Sequence, residues 1–464
     1  MYQVDFDKPI HVHFMGIGGI SMSGLAEILL SEGFTISGSD MKESELTKHL
    51  EEKGAKVFIG QKKENITDGI DLMVYTAAIS PDNEEYKAVL DKGIPTLTRA
   101  ELLGQIMRNY KLPIAVSGTH GKTTTTSMVS EILLKADDDP TITVGGILKD
   151  IGGNLRIGGN DFFVAEACEY TNSFLSFFPK VAIILNIEED HLDFFKDIND
   201  IRSSFRKFAS LLPKDGTLII NSQIDDYKEL TKDLSCKVIT YGKDDSADYY
   251  ATDISYDDMG HGCYTMHKKN VDGSEETVSV VLSVVGEHNV YNSLAALAAG
   301  DVAGVDRATA VEALKGFHGT DRRFEKKGEI HGVTVIDDYA HHPTEIRATL
   351  KAAKNYPHKK LWVVFQPHTY TRTKAFLDDF ADALSDADVV LLTDIYAARE
   401  KNTIGISSKD LLKKIRDKGQ EAYHYSYFDD IENHILLNVS EGDLVMTIGA
   451  GDVYKVGEHI LGEN

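Results

Sequence analysis

The stretch VSGTHGKTTTT, Val116–Thr126, contains the residue types of a phosphate-binding loop. Glycines at positions 118 and 121 allow a tight backbone fold whose N–H groups point at phosphate oxygens, and a helix beginning at Lys122 adds its positive dipole end. Lys122 can reach the outer phosphates of a nucleoside triphosphate, and the Thr123 hydroxyl suits a magnesium ion. The usual pattern has a glycine where this chain has Val116, but both glycines that flank the loop are present. We therefore predict a nucleoside triphosphate site here.

A second glycine-rich stretch, GIGGISMSG at Gly16–Gly24, follows one predicted strand and opens a predicted helix. The dinucleotide fingerprint would need glycine at position 21, where this chain has Ser21, and Asp40 follows at about the distance expected of a ribose partner. The pattern suits NAD or the pyrophosphate of a nucleotide sugar equally. It therefore predicts a diphosphate site and leaves the ligand open.

Possible metal ligands follow other predicted strands. Glu166 lies at the end of one strand and His191 follows another, and such residues either hold a metal near a triphosphate or stabilise ordinary turns. The adjacent His341 and His342 suggest zinc, but no third ligand occurs at a zinc-like spacing.

Three positively charged or aromatic side chains are candidates for binding a phosphate or a second substrate. His368 and Arg372 follow a predicted strand in FQPHTYTRT, and Arg323 lies at a junction in DRRFE. An arginine beside a triphosphate can neutralise the charge that develops during phosphoryl transfer. Their shared placement at strand ends favours function over surface solvation.

These residues require a scaffold of alternating strands and helices, and the chain contains three such segments. The pattern predicts an α/β protein with a parallel, helix-covered sheet in each segment, and ligands in such sheets lie beyond the carboxyl ends of the strands. We expect the polar tract over residues 244–281 to be an irregular insertion of short strands.

Composition excludes several classes of protein. A chain of 464 residues is long enough for about three domains. A formal net charge of −24 repels nucleic acid and anionic membranes, so we expect neither as a partner. Three cysteines without C-x-x-C spacing favour a reducing compartment, and no apolar run approaches the roughly 20 residues that span a bilayer. We predict a cytoplasmic protein.

The stretches GTHGKTTT, EACEY, NIEEDHLD, GEHNVYNSLAA, DRRFE, DDYAHHPTE and FQPHTYTRT together resemble the Mur ligase family, which builds the peptide stem of bacterial cell-wall precursors. The resemblance implies a Rossmann-like UDP-sugar domain over residues 1–106. It further implies a central P-loop ATPase domain over 107–318 and a C-terminal Rossmann-like amino-acid domain over 319–464. The implied activity uses ATP and Mg²⁺ to join L-alanine to the lactyl carboxylate of UDP-N-acetylmuramate through an acyl phosphate. We expect a monomer or weak homodimer.

The resemblance also implies roles for individual residues. The nucleotide contacts would be Gly118, Thr119, His120, Gly121, Lys122, Thr123, Thr124, His288, Asn289, Asn292 and Arg323. The magnesium ligands would be Thr123, Glu166 and His191. The contacts to the UDP-sugar and the amino acid would be Gly16, Gly18, Gly19, Ile20, Ser21, Asp40, Thr76, His368 and Arg372. The catalytic residues would be Lys122, His191, Arg323, His341 and Arg372.

Two other functions fit part of the sequence. A recycling ligase of the same family would attach a whole tripeptide to the same UDP-sugar. An NAD-dependent oxidoreductase would use the glycine-rich stretch at Gly16–Gly24. An oxidoreductase would leave the phosphate-binding loop at Val116–Thr126 unexplained. One departure concerns position 369, where the resemblance leads us to expect a basic residue and the chain has Thr369. One contact to the amino acid therefore stays open.

Overall fold

The computed structural model describes residues 2–76 and 78–463, and it distributes their strands among three sheets of five, ten and six strands. Helices pack on the faces of each sheet, so the predicted α/β protein with three domains is confirmed. The residues at which one domain passes into the next, 106/107 and 318/319, stay a prediction. Among the described residues, no helix combines the length and apolar character that crossing a bilayer requires.

The N-terminal domain is a five-stranded sheet in the order β3-β2-β1-β4-β5, and all its neighbouring strands are parallel, as predicted. The strands are β1 (His11–Met15), β2 (Thr35–Asp40), β3 (Lys56–Ile59), β4 (Leu72–Tyr75) and β5 (Thr96–Thr98). The helices are α1 (Ile20–Ser31), α2 (Glu45–Glu52), α3 (Glu84–Asp91) and α4 (Arg99–Met107), with a 3₁₀ turn at Lys63–Asn65. Leu25, Ile28 and Leu29 of α1 are buried, as their helical spacing predicts.

The central domain contains a ten-stranded sheet in the order β15-β14-β13-β12-β11-β10-β6-β9-β7-β8. Its strands are β6 (Leu112–Ser117), β7 (Thr141–Leu148), β8 (Gly153–Arg156), β9 (Phe162–Glu166), β10 (Val181–Ile184), β11 (Thr217–Asn221), β12 (Lys237–Gly242), β13 (Tyr249–Tyr256), β14 (His261–Lys269) and β15 (Glu275–Val285). Its helices are α5 (Lys122–Lys135), α6 (Ile198–Ala209), α7 (Tyr227–Thr231), α8 (Glu287–Ala303) and α9 (Arg307–Gly316), with 3₁₀ segments at Lys149–Ile151 and Tyr170–Ser176.

The tract over residues 244–281 contains strands, as expected, but they are neither short nor irregular. Strands β13, β14 and β15 are 8, 9 and 11 residues long, and they continue the central sheet as an antiparallel meander. One face of this meander packs on the core while the other faces solvent, so its polar residues alternate with apolar ones. That alternation made the tract look polar in the sequence.

The C-terminal domain is a six-stranded sheet in the order β16-β17-β21-β18-β19-β20, parallel except for the edge strand β16. Its strands are β16 (Glu325–Ile330), β17 (Val333–Asp338), β18 (Leu361–Phe365), β19 (Val389–Leu392), β20 (Glu421–His424) and β21 (Leu444–Ile448). Its helices are α10 (Pro343–Ala353), α11 (Tyr370–Ala375), α12 (Leu377–Leu384), α13 (Ser408–Asp417), α14 (Phe428–Asn438) and α15 (Tyr454–Ile460). Of the predicted site residues of this segment, Arg323 precedes β16, His341 follows β17, and His368 and Arg372 follow β18 in the loop and in α11.

Candidate active site

The predicted phosphate loop joins β6 to α5. Gly118 and Gly121 have φ angles of +147° and +81°, which favour glycine. Added Cβ atoms there would approach Leu185 Cβ and Asn292 Oδ1 to 2.9 Å each. The Asn186 side chain accepts from His120 N–H at 2.7 Å and donates to the His120 carbonyl at 3.1 Å. The loop is therefore closely packed and held in a single shape.

Lys122 lies beneath this loop as a cation. Its ammonium group donates to the carbonyls of Gly118 and Thr119 at 2.5 and 3.1 Å, and to Glu169 Oε2 at 3.0 Å. Burial alone would lower the pKa of Lys122, but the Glu169 carboxylate outweighs burial and raises that pKa above its ordinary value. The lysine therefore keeps its charge while it is nearly enclosed by protein.

Thr123 and Glu166 lie on one wall of a 440 Å³ cavity beside the loop. Gly145 N–H donates to Glu166 Oε1 at 2.6 Å, and a Cβ at Gly145 would come within 2.7 Å of Glu166 Oε2. A hydroxyl and a carboxylate are hard oxygen donors of the kind that Mg²⁺ prefers, so these two residues fit a magnesium ion.

The 440 Å³ cavity brings together predicted residues from five sequence stretches and two domains. The central domain contributes the phosphate loop, Glu166 and His191, and the C-terminal domain contributes Arg323 and His341. His191 has a positive φ of +52°, and its Nε2 lies 3.7 Å from both Glu169 Oε1 and Asp190 Oδ2. This strained backbone turns the imidazole towards the carboxylates.

A second cavity, of 250 Å³, adjoins the other side of the phosphate loop. It is lined by Thr124 and the start of α8, where His288, Asn289 and Asn292 lie. Asn289 donates to the Val285 carbonyl at 2.8 Å and accepts from Asn292 at 2.9 Å. Burial, reinforced by the positive charge of Arg323, lowers the pKa of His288 to about 4, so its ring is neutral.

His120 of the phosphate loop connects the central and C-terminal domains. Its Nδ1 lies 3.1 Å from Glu345 Oε1 in α10, and its Nε2 lies 3.5 Å from Glu188 Oε2. Although burial opposes the charge, these two carboxylates raise the pKa of His120 to about 9. Glu345 Oε2 also accepts from the N–H groups of His341 and His342 at the start of α10.

His120, Glu188 and His342 place three possible metal-ligand atoms within 4.8 Å of one another. The sequence showed no further ligand at a zinc-like spacing from His342, and the fold brings two candidate ligands, His120 and Glu188, from the central domain. The imidazole of His120 is protonated between two carboxylates and has no free lone pair for a metal. His342 Nε2 is also engaged, 3.0 Å from the Glu189 carbonyl. This cluster is an ion-pair network between domains.

Arg372 makes a second contact between the domains. Its guanidinium donates to Asp190 Oδ1 from Nε at 3.1 Å and from Nη2 at 2.8 Å, and both side chains are buried. Although burial opposes it, Arg372 holds the pKa of Asp190 well below its ordinary value. Burial, with Arg372 adding to it, lowers the pKa of His368 to about 4. Burial likewise lowers the pKa of His341 to about 3, so both rings are neutral.

The two arginines of DRRFE have different surroundings. Arg323 lines both the 440 and the 250 Å³ cavities, with its guanidinium 5.1 Å from the Tyr339 ring centre. Arg322 donates to Asp337 Oδ2 at 2.9 Å and to the Gly449 carbonyl at 2.7 Å, which anchors the start of the C-terminal domain. Only Arg323 is thereby directed towards both cavities.

The glycine-rich stretch at Gly16–Gly24 lies in the N-terminal domain, and none of its residues lines these cavities. Gly16 has a φ of +82°, and a Cβ there would come within 3.0 Å of Thr76 Cγ2. Gly18 N–H donates to Asp40 Oδ2 at 2.9 Å, so this carboxylate oxygen already holds the loop itself. Gly19 caps α1, which begins at Ile20, and Ile20 and Ser21 are exposed at its first turn.

Three site residues were missed from the sequence. They are Glu169, Asp190 and Glu345, the carboxylates that pair with Lys122, Arg372 and His120. Asp190 and Glu345 lie within the quoted stretches NIEEDHLD and DDYAHHPTE, and Glu169 lies in EACEY. Their occurrence in the same stretches as predicted site residues could have indicated them. Which carboxylate pairs with which cation, however, is decided only by the fold.

Fold and site together define a three-domain α/β protein of the phosphate-loop class, in which a C-terminal domain closes over the loop. Models of the Mur ligase family match its catalytic domain at residues 11–111, its middle domain at 116–300 and its glutamate ligase domain at 322–451. The chain belongs to the Mur ligase family.

Individual relatives cover the whole chain. The UDP-N-acetylmuramate–L-alanine ligase of Lachnospira eligens is 60% identical over 462 residues, covering 99% of this chain and 100% of that protein. The crystal structure of the UDP-N-acetylmuramate–alanine ligase from Thermotoga maritima is 31% identical, with a TM-score of 0.77 over 98% of each chain. A murein peptide ligase from Psychrobacter arcticus is 27% identical, with a TM-score of 0.68 over 98% of each chain.

Proposed function

We propose that this protein joins L-alanine to the lactyl carboxylate of UDP-N-acetylmuramate at the expense of ATP, in peptidoglycan precursor synthesis in the cytoplasm. One observation carries the proposal. The 440 Å³ cavity collects the phosphate-loop lysine, a carboxylate and hydroxyl pair suited to a metal, and His191, Arg323 and His341 from the facing stretches. Residues of these types are those that phosphoryl transfer to an acid requires.

ATP would bind across the two cavities beside the phosphate loop. The loop residues 118–124 would hold its phosphates, and Asn289 and Asn292 with the neutral His288 would line the space for its base. Thr123 and Glu166 would hold one Mg²⁺, and His191 would serve a second. When bound there, the metal would neutralise charge on the phosphates and on the acid.

Transfer of the γ-phosphate to a carboxylate brings two anions together, so the protein must supply positive charge. Lys122 would hold the outer phosphates from the central domain, and Arg323 would approach them from the C-terminal domain. The resulting acyl phosphate would then be attacked by the amine of L-alanine, releasing phosphate and forming the amide. His341 is neutral at pH 7 and its Nδ1–H faces the Tyr339 carbonyl at 3.0 Å, so its Nε2 can accept a hydrogen bond from that amine.

Closure of the C-terminal domain over the phosphate loop would protect the acyl phosphate. The buried Arg372–Asp190 pair and the His120–Glu345 pair hold this arrangement. Water excluded from the closed cavity cannot hydrolyse the intermediate before the amine attacks.

The glycine-rich stretch at Gly16–Gly24 would bind the diphosphate of the UDP-sugar through the N–H groups of residues 16–21, with Thr76 nearby. The other two functions are not favoured. A recycling ligase is represented by a relative at 27% identity, against 60% for a ligase named for L-alanine. An NAD-dependent oxidoreductase leaves the phosphate loop and its facing cations without a purpose.

The proposal is tested by phosphate release from ATP and magnesium in the presence of UDP-N-acetylmuramate. Each acceptor is added separately: L-alanine, glycine, L-serine and the cell-wall tripeptide. We expect release with L-alanine and a product heavier by one alanine residue in mass spectrometry. Release with the tripeptide alone would make the protein a recycling ligase, and no release with any acceptor would contradict a ligase function.

A further inference from the structure

A cavity of 590 Å³ lies between the central and C-terminal domains and is lined by no residue of the phosphate loop. Its walls include Tyr170, His368, Thr369, Arg372 and Arg399. Asp190 and His191 line both this cavity and the 440 Å³ cavity. A molecule in the larger cavity can therefore reach the reacting end of the phosphate site.

Three cations line the 590 Å³ cavity: Arg372, Lys374 and Arg399. The guanidinium of Arg372 is already engaged, because Asp190 accepts two of its hydrogen bonds and His368 Nδ1 lies 3.0 Å from Nη1. Within residues 2–76 and 78–463, no carboxylate lies within 4.0 Å of either Arg399 or Lys374. Their charges are therefore available to an anion in the cavity.

Arg399 is held in place by its neighbours. Tyr396 N–H donates to the Pro367 carbonyl at 2.8 Å, and Tyr396 accepts from Thr369 N–H at 2.9 Å. On the other side of Arg399, Glu400 accepts from Thr371 N–H at 3.0 Å. The loop after β19 is thus fastened, before and after Arg399, to the loop that carries His368 and Arg372.

Arg399 lines the 590 Å³ cavity together with Tyr170 and His191. Its positive charge acts on the Tyr170 hydroxyl, opposing the rise in the pKa of Tyr170 that a hydrogen bond to Asp193 causes. The Tyr170 ring centre lies 4.5 Å from that of His191. Arg399 thus shares a cavity with these two rings, and Thr369 on the same cavity brings no charge of its own.

We propose that Arg399 is the residue that binds the α-carboxylate of the incoming amino acid. This assignment rests on the proposed function, and it places the amino acid of that reaction in the 590 Å³ cavity. A guanidinium presents two parallel N–H donors that match a carboxylate, and such a contact fixes the direction of the substrate. With its carboxylate held by Arg399, the amine of the amino acid is directed towards His191 and the acyl phosphate.

The test measures phosphate release at saturating ATP and UDP-N-acetylmuramate with increasing L-alanine or L-alaninamide, in which a neutral amide replaces the carboxylate. For Arg399→Ala we expect the KM for L-alanine to rise by roughly 10- to 100-fold, the effect of losing a charge-assisted hydrogen-bonded pair. The KM for ATP stays unchanged, and turnover of L-alaninamide stays at the wild-type value. Arg399→Lys recovers part of the loss.

Two further variants sharpen the result. Lys401→Ala removes a charge from the same loop, outside the cavity wall, and leaves both amine substrates unaffected. Lys374→Ala removes the other available cation. The assignment would be overturned if Arg399→Ala kept the wild-type preference for L-alanine over L-alaninamide. It would also be overturned if Lys374→Ala, and not Arg399→Ala, lost that preference. A wild-type protein that turns over neither amine would contradict the proposed function itself.

Discussion

Lys122 and His120 are two cations of one loop, separated in the chain by Gly121 alone. Glu169 holds Lys122 within the central domain, whereas Glu345 holds His120 from the C-terminal domain. The first pair keeps the lysine charged beneath the phosphate site. The second pair makes the loop sensitive to whether the domains are closed. Charge at this loop is therefore set by carboxylates from both sides of the cleft.

Replacement of Lys122 tests the role of the loop. We expect Lys122→Ala to lower kcat for phosphate release by roughly 10²–10³-fold, because a preorganised charge on the phosphates is lost. Lys135→Ala, at the opposite end of the same helix, serves as the control and stays near wild type. Full activity of Lys122→Ala would show that the loop does not bind the transferred phosphate.

The pairing of His120 predicts a pH dependence of stability. Because its folded pKa of about 9 lies above the ordinary value, its contribution is fully present below pH 6.5 and is lost as pH rises through about 9. We expect His120→Gln to lower Tm by about 2–4 °C at pH 6 and by much less at pH 10. Thermal unfolding measured by circular dichroism at both pH values checks this.

The matched control is His358→Gln, because His358 Nδ1 lies 2.7 Å from the Tyr356 carbonyl and, within the described part of the chain, His358 forms no ion pair with a carboxylate. Its effect on Tm is expected to be similar at pH 6 and pH 10. A His120→Gln effect that also stayed constant between the two pH values would contradict a protonated His120.

At the scale of elements, the contact between α4 and the 3₁₀ segment Tyr170–Ser176 links the N-terminal domain to the active site. A Cβ at Gly104 would lie 1.9 Å from the Ser176 carbonyl oxygen, so only glycine allows this approach. The same segment begins at Tyr170, next to Glu169. A change in the packing of α4 is therefore transmitted to the residues that hold Lys122.

Gly104→Ala is expected to destabilise the protein by about 1–3 kcal/mol, because the helix and the segment must move apart. The measurement is the midpoint of urea denaturation followed by tryptophan and tyrosine fluorescence. Gly316→Ala is the control, since an added Cβ there has no heavy atom within 4 Å. Equal midpoints for the two variants would show that the contact between α4 and the 3₁₀ segment accommodates the added methyl group without a loss of stability.

At the scale of the whole molecule, the closed arrangement depends on a few buried polar contacts between domains. Arg372 and Asp190 form one of them, and their side chains are only 9% and 8% exposed. Breaking a buried pair leaves one charge uncompensated, which costs about 3–5 kcal/mol. Closure of the cleft is thus coupled to the ionisation of Asp190.

We expect Asp190→Asn to shift the protein towards an open arrangement, with a larger radius of gyration in small-angle X-ray scattering and a loss of ligase activity. Asp379→Asn breaks an exposed pair with Arg347 and serves as the control, because surface pairs contribute about 0–1 kcal/mol. An Asp190→Asn protein as compact as the control would show that other contacts hold the domains.

The sequence by itself determined the local features of this protein. Gly118, Gly121 and Lys122 specify a phosphate loop through backbone freedom and charge, and the spacing of Leu25, Ile28 and Leu29 specifies a buried helix face. The alternation of strands and helices predicted three α/β domains. These properties depend on residues close together in the chain, so periodicity and composition reveal them. The tract over 244–281 was taken as irregular because the solvent-facing residues of its half-buried strands make it polar.

Only the tertiary structure decided which distant residues meet. Lys122 pairs with Glu169, His120 with Glu345 and Arg372 with Asp190 across 47, 225 and 182 positions of the chain. Many carboxylates could have supplied those partners, since the chain contains 73 of them. The choice among them follows from how the sheets pack and how the domains close. The same packing placed Arg399 on the wall of the cavity that His191 also lines.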